Sequence, residues 1–248
     1  MSPGAIVLVA CAGIFAGAIN TIVGSGSLLT FPVLLALGFS PIVANVSNTV
    51  GLVFGSVSGV YGYRRELIDQ SDRILRLGVT AALGGAIGGI LLLRLPGDVF
   101  NRIVPALVLL AVVLVILQPW LARRLASDKP SGRHRWTLHI LIFATAMYGG
   151  YFGAAQGVIL VAVLGTFIAD SLQRLNGLKN VIAAVVNGVA AVVFLGFAPV
   201  AWQPAAVLAL SSVIGAQFGA SFGRRIPPRV LRGIIVAAGI AVFIKLIA

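Results

Sequence analysis

Long apolar runs, separated by short charged or glycine-rich breaks, constrain the fold of this chain more than any other feature. An α-helix needs about 20 mostly apolar residues to cross a hydrocarbon core. The strands of a membrane barrel would alternate apolar and polar residues, and runs such as Ile103–Leu117 do not. With 59% hydrophobic and 10% charged residues, the composition is also unlike that of soluble domains, which are about a quarter charged. The sequence therefore predicts an all-α integral membrane protein.

The net charge of +12 comes from 18 Lys and Arg against six Asp and Glu. In a soluble protein this excess would suggest nucleic acid, but here the charges lie between apolar runs, as in basic loops retained in the cytoplasm. We expect the lipid bilayer as a partner and no nucleic acid. The first residues lack the basic region of a signal peptide, and they are interpreted as a first membrane segment.

The breaks divide the chain into two halves, predicted as a first membrane repeat at 1–122, a cytoplasmic linker at 123–135 and a second membrane repeat at 136–248. Each half starts with two short or interrupted segments and continues with three longer ones. The first-half segments are Gly4–Val23, Leu28–Gly38, Ile42–Tyr63, Ile74–Leu93 and Ile103–Leu121. The second-half segments are Trp136–Ala155, Val158–Ala169, Val181–Phe197, Ala201–Phe222 and Leu231–Ala248.

Matching residues support a duplication. When the residue number is shifted by 131, the pairs are Asn45 with Asn176, Gly84 with Gly215, Gly88 with Gly219, Arg94 with Arg225 and Pro96 with Pro227. Upstream, the pairs for a shift of 136 are Gly13 with Gly149, Gly17 with Gly153 and Asn20 with Gln156. We interpret the common order of breaks, amides and Arg-x-Pro turns as a repeat.

Loop charge predicts that the two halves are inverted. The loop Arg64–Arg76 carries four Arg, whereas its counterpart Gly196–Pro204 carries no charge, so the two are expected on opposite sides of the membrane. This predicts an inverted repeat of two five-segment halves with broken or re-entrant helices and both termini outside. Each half would cross the membrane an odd number of times either with five spanning segments or with a re-entrant hairpin followed by three spans. The sequence leaves both arrangements open.

Two glycine-containing breaks are the first candidate for a binding site. They consist of Gly24, Ser25, Gly26 and Ser27 in the first half and of Gln156 with Gly157 in the second. Transporters with inverted repeats and interrupted helices bind substrates near the midplane, where freed N–H groups and helix N-termini suit an anion. The alternative is that these glycines are packing kinks. The first break is not a nucleotide-binding loop, because it completes no phosphate-binding pattern.

Polar residues on two later segments are the second candidate. Asn45 and Asn48 share one helix face, as do Asn176, Lys179 and Asn180. Amides and a cation inside a membrane are costly unless they pair or bind something. We predict that they bind an oxyanion. The alternatives are helix–helix hydrogen bonds for the amides and a Lys179 side chain that extends to the cytoplasmic interface.

The remaining polar residues suggest little further chemistry. Tyr61 and Tyr63 are predicted to lie in the interfacial aromatic belt. No acid lies deep in an apolar run, and Asp170 is the marginal candidate for a proton carrier. His134 and His139 have no second ligand nearby in the sequence, so no metal or cofactor is expected. Since no nucleophile–base constellation is present, we expect no enzyme.

Four stretches resemble the sulfite exporter TauE/SafE family. The first-half stretches are GIFAGAINTIVGSGSLLTFPVLLALGFSP and ANVSNTVGLVFGSVSGVYGYRREL, and the second-half stretches are RLNGLKNVIAAVVNGVAAVVF and GAQFGASFGRRIPPRVLRGIIV. The resemblance covers almost the whole chain and implies a bacterial inner-membrane permease for sulfite, sulfoacetate or related sulfur anions. The family's motif regions fall on Gly24–Ser27, Asn45–Asn48 and Asn176–Asn180, whereas their role as substrate ligands is our inference from the residues.

The expected function is secondary transport, in the direction of export, of a small sulfur-containing oxyanion such as sulfite or an organosulfonate by alternating access. The alternative is a proton-coupled permease for a carboxylate or another organic anion. A channel and an intramembrane enzyme remain further possibilities from other functional classes.

Overall fold

The computed structural model describes residues 1–127, 135–222 and 228–247, and within these ranges the chain folds into ten α-helices and no strands. Six of the described helices, α1, α3, α4, α5, α8 and α9, are long and apolar enough to cross a membrane. The prediction of an all-α, multi-pass membrane protein is confirmed. The helices are α1 Pro3–Ile22, α2 Ser27–Ala36, α3 Pro41–Gly62, α4 Ser71–Arg94, α5 Gly97–Ser127, α6 Arg135–Tyr151, α7 Gln156–Phe167, α8 Leu172–Phe197, α9 Trp202–Phe222 and α10 Pro228–Ile247.

The outer surface of the helix assembly is apolar. Large hydrophobic side chains point away from the core along several helices, and Leu210, Val192 and Leu75 are 74%, 70% and 68% exposed. A soluble protein seldom exposes apolar patches of this extent. Contact with lipid tails explains this surface, whereas the polar residues discussed below are turned inward.

Local sequence signals explain where several helices begin. The Ser2 hydroxyl accepts a hydrogen bond from Ala5 N (3.3 Å) at the start of α1, and Pro3 occupies the first turn. The Ser171 hydroxyl caps α8 in the same way, through Arg174 N at 3.3 Å. α8 therefore begins at Leu172, well before the predicted apolar segment that starts at Val181.

Each half contains one short helix. α2 has 10 residues and α7 has 12, which correspond to about 15 and 18 Å. Neither helix can cross a hydrocarbon core of about 30 Å alone. The chain turns before them at Gly24 (φ +85°) and Gly153 (φ +76°), each the second residue after the end of the preceding helix.

The helix bounds test the two proposed registers of the repeat. The starts of α8, α9 and α10 match those of α3, α4 and α5 at the same shift of 131 that the sequence indicated. The upstream shift of 136 is wrong, because α6 ends at Tyr151 and α1 ends at Ile22, so these two ends align at a smaller shift. Asn20 lies in the last turn of α1, whereas Gln156 starts α7, so these two residues are not equivalent. Because glycine is frequent in both halves, coincidental glycine matches favoured the shift of 136 in the sequence.

Helix packing is symmetric under exchange of the halves. α1 packs on α9 as α6 packs on α4, α3 on α9 as α8 on α4, and α2 on α10 as α7 on α5. α3 and α8 run antiparallel along each other: Gly177, near the start of α8, lies beside Leu67, just after the end of α3. At their other ends, Ala201 N donates to the Ser47 hydroxyl at 2.8 Å. Antiparallel equivalent helices are what an inverted repeat requires.

The orientation of the halves in a membrane and the division at 1–122, 123–135 and 136–248 stay predictions. Residues 123–127 of the linker belong to α5, and residues 128–134 lie outside the described residues.

Candidate functional site

The two helix breaks contact each other directly. Gly157 N, in the first turn of α7, donates a hydrogen bond to Gly24 O at 3.0 Å. A side chain on either glycine would overlap the backbone of the other. The contact therefore requires glycine on both sides and joins the first half of the chain to the second.

Buried polar side chains without partners flank this contact. Among the described residues, the Ser25 hydroxyl and the Gln156 amide nitrogen have no hydrogen-bond partner, although both are shielded from solvent. Ser25 lies just before α2 and Gln156 is the first residue of α7. The first turn of a helix carries the positive end of its dipole. The first N–H groups of α7 are already bonded, Gly157 N to Gly24 O among them, and the Gln156 amide lies against Gly149 of α6. Ser25 and Gln156 are therefore buried side-chain donors near the positive ends of α2 and α7.

Lys179 is the charged residue at the centre of this arrangement. It is the eighth residue of α8 and is 0% exposed. Its ammonium donates to Thr21 O at 2.9 Å and to Asn20 O at 3.1 Å, in the last turn of α1. A cation is favourable at this negative helix end. The side chain is buried against these carbonyls rather than exposed at the protein surface, which is evidence against the snorkelling alternative.

The second-half amides converge on the same carbonyl. Asn180 Nδ2 and Asn176 Nδ2 lie 3.2 and 3.4 Å from Thr21 O, which therefore accepts from three side chains of α8. Asn176 also donates to the Tyr63 hydroxyl at 2.8 Å, while its own oxygen is buried and has no partner among the described residues. The hydrogen bonds fix the end of α1 against α8.

The first-half amides occupy the equivalent places. Asn45 Nδ2 donates to Tyr151 O at 3.0 Å, the last residue of α6, as Asn176 does to the last turn of α1. Asn48 corresponds to Lys179 at the shift of 131, and its oxygen accepts from the Thr30 hydroxyl on α2. At this position the chemistry of the two halves differs, because one half has an amide and the other an ammonium.

The structure places the predicted residues in three groups. Gly24, Ser25, Gln156 and Lys179 surround the contact between the breaks, and Asn176 and Asn180 adjoin it through Thr21 O. Asn45 and Asn48 lie at the ends of α6 and α2 in the other half of the arrangement. Gly26 packs on the α1 backbone, and Ser27 starts α2 half-buried. That any of these residues binds an anion stays a prediction.

One feature of the site differs from the sequence prediction, and another agrees with the expectation that polar residues such as Ser56 and Asn187 bond neighbouring helices. Tyr63, predicted for the interfacial belt, is buried (3% exposed) against Asn176, whereas Tyr61 is exposed as expected. At the middle of the α3–α8 contact, Asn187 Nδ2 donates to the Ser56 hydroxyl at 3.2 Å. These two residues are themselves related by the shift of 131, so the repeat register could have identified them as a pair on the symmetry axis.

Asp170 lies outside the helices, in an ion-pair cluster. Its carboxylate contacts Arg73 Nη1 at 2.7 Å and Arg174 Nε at 3.0 Å. Partial burial alone would raise the pKa of Asp170, but the hydrogen bonds from Arg73, Ser171 N and Arg174 together hold it below its ordinary value. Asp170 therefore stays ionised near neutral pH, and its proposed role as a proton carrier loses support.

A polar cavity of about 300 Å³ opens near the end of α3. One of its lining residues, Gly62, is the neighbour of the buried Tyr63. The cavity is lined by Gly62, Arg64, Arg65, Glu66, Gln217, Ala220 and Ser221.

The described residues contain no group of three or more His, Cys, Asp or Glu side chains that could hold a metal ion.

Comparison with known proteins identifies the family. The profile described as "Sulfite exporter TauE/SafE" matches residues 9–246. "Probable membrane transporter protein YfcA" from Escherichia coli (strain K12) is 27% identical over 94% of this chain and 86% of its own length. "Probable membrane transporter protein ORF9" from Sinorhizobium sp is 26% identical over 96% of this chain and 90% of its own. No solved structure gives a significant match. The chain belongs to the sulfite exporter TauE/SafE family of membrane proteins.

Proposed function

We propose that the chain is a secondary transporter that exports a small sulfur-containing oxyanion, such as sulfite or an organosulfonate, across the bacterial inner membrane. The observation that carries the proposal is the buried Lys179 ammonium, which lies beside two broken helices. Membership of the family supports the sulfur oxyanion, and the names of the relatives support membrane transport.

The residues around the breaks suit an anion. The ammonium of Lys179 uses two of its three donors on Thr21 O and Asn20 O, which leaves one donor for a ligand. The Gln156 amide nitrogen and the Ser25 hydroxyl are buried and unpaired in the described structure, and each can donate to an oxyanion oxygen. A site of this kind binds mainly through neutral donors, so it can also release its ligand.

The contact between the halves gives a route to alternating access. The breaks touch through the hydrogen bond from Gly157 N to Gly24 O, while the halves interlock elsewhere, with α1 and α3 packed on α9 and with α6 and α8 packed on α4. An anion that entered between the breaks would replace this contact with hydrogen bonds to itself. Movement of the α1–α3–α9 group against the α4–α6–α8 group would then expose the site to each side in turn.

Transport in proteoliposomes tests the proposal. Purified protein is reconstituted, loaded with radiolabelled sulfite, and its efflux is compared with that of protein-free vesicles. Asn45→Ala and Asn176→Ala are each expected to slow efflux strongly while the protein stays monodisperse in detergent. Wild-type rates in both variants would assign the amides to structure. Absence of efflux of sulfite, sulfoacetate and taurine from wild-type vesicles would reject the substrate class.

A further inference from the structure

We propose that the groove between α3 and α9 binds one anionic phospholipid, phosphatidylglycerol. Its headgroup lies in the polar cavity at the end of α3, and one of its acyl chains lies along the apolar part of the groove. The inference goes beyond the proposed function, because it concerns a lipid on the outer surface and does not depend on which anion is transported.

The α3–α9 groove contains two cavities. α3 and α9 run side by side in the same direction, with Gly51 beside Leu208 and Gly62 beside Ala220. The polar cavity of about 300 Å³ lies where both helices end. A second cavity of about 420 Å³ lies further along the same two helices, and its lining is apolar. It is lined by Val50, Phe54, Trp202, Ala205, Ala206, Ala209, Leu210 and Val213.

The two cavities form one continuous groove that faces lipid. Their α9 residues recur every three or four positions, which places them on one face of the helix. Large side chains along the groove are each more than half exposed, namely Phe54, Tyr61, Leu210 and Phe218. The α9 residues on this face are Trp202, Ala206, Ala209, Val213, Gln217 and Ala220.

Polarity decreases along the groove in the order found in a phospholipid. Gln217 lies one turn, about 6 Å, before Ser221 of the polar cavity, and its Nε2 donates to Ser58 O at 2.8 Å. The apolar cavity begins one turn further along, at Val213. From Ser221 to Ala209, α9 spans about 18 Å, slightly more than half of a hydrocarbon core of about 30 Å. A lipid of one leaflet therefore reaches the apolar cavity with its acyl chain.

The charges of the polar cavity suit a phosphodiester. Among the described residues that line it, Arg64, Arg65 and Glu66 are charged, and two positive charges less one negative charge give a net charge of +1. The Arg64 guanidinium lies 4.3 Å from the centre of the exposed Tyr61 ring, and its Nη1 donates to Tyr61 O at 3.1 Å. Guanidinium groups bind phosphate oxygens well, and a carboxylate can accept hydrogen bonds from glycerol hydroxyls. Phosphatidylglycerol has one negative charge and both kinds of group.

The equivalent groove of the other half, between α8 and α4, shows that packing does not require these polar residues. The two helix pairs pack in the same way. At the shift of 131, the six polar residues of the α3–α9 groove correspond to glycine or apolar residues, which are Leu195 for Arg64, Gly196 for Arg65, Phe197 for Glu66, Ala86 for Gln217, Ile90 for Ser221 and Val189 for Ser58. The polar residues are therefore a feature of one groove, where they are available to a ligand.

Native mass spectrometry of the full chain in detergent tests the proposal. Dioleoyl phosphatidylglycerol and dioleoyl phosphatidylcholine are titrated separately. One phosphatidylglycerol is expected to bind about fivefold or more tightly than phosphatidylcholine, because an arginine near the membrane surface contributes about this factor to the binding of an acidic lipid. Equal affinities would overturn the proposal. Excess inorganic phosphate is expected to leave the lipid bound, and its displacement would show that the cavity takes a free anion instead.

Matched variants locate the lipid. Arg65→Gln is expected to weaken phosphatidylglycerol binding about fivefold. Arg102→Gln removes the same charge from an exposed position of α5, outside the groove, and is expected to leave the affinity unchanged. Equal effects of the two substitutions would assign the binding to net charge and overturn the site.

A substitution in the apolar cavity tests the acyl chain and keeps every charge. Ala209→Leu fills part of this cavity and is expected to weaken phosphatidylglycerol binding about fourfold, which corresponds to the loss of about one buried CH₂ group. It also supplies the test if Arg65→Gln does not fold. Unchanged affinity in folded Ala209→Leu protein would show that no chain lies in the groove and would overturn the proposal.

Discussion

The backbone contact between the two breaks can be tested with four glycine-to-alanine variants. Gly24 combines a positive φ of +85° with a close neighbour, and Gly157 has the close neighbour alone. Gly38 has a positive φ of +88° but open space around it, and Gly188 lies in α8 with open space and no positive φ. The set therefore separates backbone strain from steric overlap.

Each effect has a known magnitude. Forcing alanine into the left-handed region costs about 1–2 kcal/mol, and overpacking a tight contact costs about 1–3 kcal/mol. Replacing glycine by alanine within a helix gains up to about 1 kcal/mol. We expect Gly24→Ala to destabilise by about 2–5 kcal/mol, Gly38→Ala by about 1–2 kcal/mol, and Gly157→Ala, where the helix gain offsets part of the overlap, by about 0–3 kcal/mol. Gly188→Ala is expected to be neutral or slightly stabilising.

The assay is the apparent melting temperature of each variant in one detergent, together with its rate of sulfite efflux. Gly24→Ala is expected to melt lowest and to transport least. Gly38→Ala is expected to melt below wild type but to retain transport, because residue 38 lies away from the breaks. If Gly24→Ala and Gly38→Ala melt at the same temperature, steric overlap adds nothing, and the two breaks do not meet as described.

Further predictions follow from the topology, the ion-pair cluster and the substrate charge. An impermeant thiol reagent on intact cells is expected to leave a cysteine placed within 123–135 unlabelled, and labelling would contradict the inverted orientation. Because the pKa of Asp170 is lowered in the fold, its pairs stabilise the protein at neutral pH and are lost as the pH falls below about 4, and Asp170→Asn is expected to flatten that acid dependence of the melting temperature. Tyr63→Phe removes the hydroxyl that contacts Asn176 and is expected to slow efflux with little change in melting temperature. At equal pH, a valinomycin potential is expected to drive anion efflux, since one charge across 100 mV corresponds to about 2.3 kcal/mol; efflux that follows only a pH gradient would favour proton coupling.

Apolar runs predicted the helices well where charged or turn residues bound them. The segment Ile42–Tyr63 corresponds to α3, Pro41–Gly62, because a proline starts the helix and a charged loop follows it. The prediction was less accurate for α8, which was expected from Val181 and begins at Leu172. Hydropathy assigns the polar stretch Asn176–Asn180 to a helix end. In the fold that stretch is helical and buried, because carbonyls of another helix accept its hydrogen bonds.

The positions of Lys179 and Tyr63 could not be predicted from local sequence. An interfacial lysine and a buried one look alike along the chain, and so do tyrosines at a helix end. Lys179 is buried because it donates to the carbonyl oxygen of Thr21, which is far from it along the chain. This carbonyl has no acceptor role within α1, since the helix ends there, and it can therefore accept from side chains. A contact of such long range depends on the packing of both halves.

The repeat gives the difference between Asn48 and Lys179 its meaning. The halves share helix order, packing and the Asn45–Asn176 pair, so their common features describe the scaffold. A residue that breaks the pattern is free to determine what the scaffold binds. Asn48 contacts α2 of its own half, whereas Lys179 contacts the end of α1 in the other half. The two equivalent positions therefore differ in their partners as well as in their charge, and of the two it is the lysine that joins one half of the chain to the other.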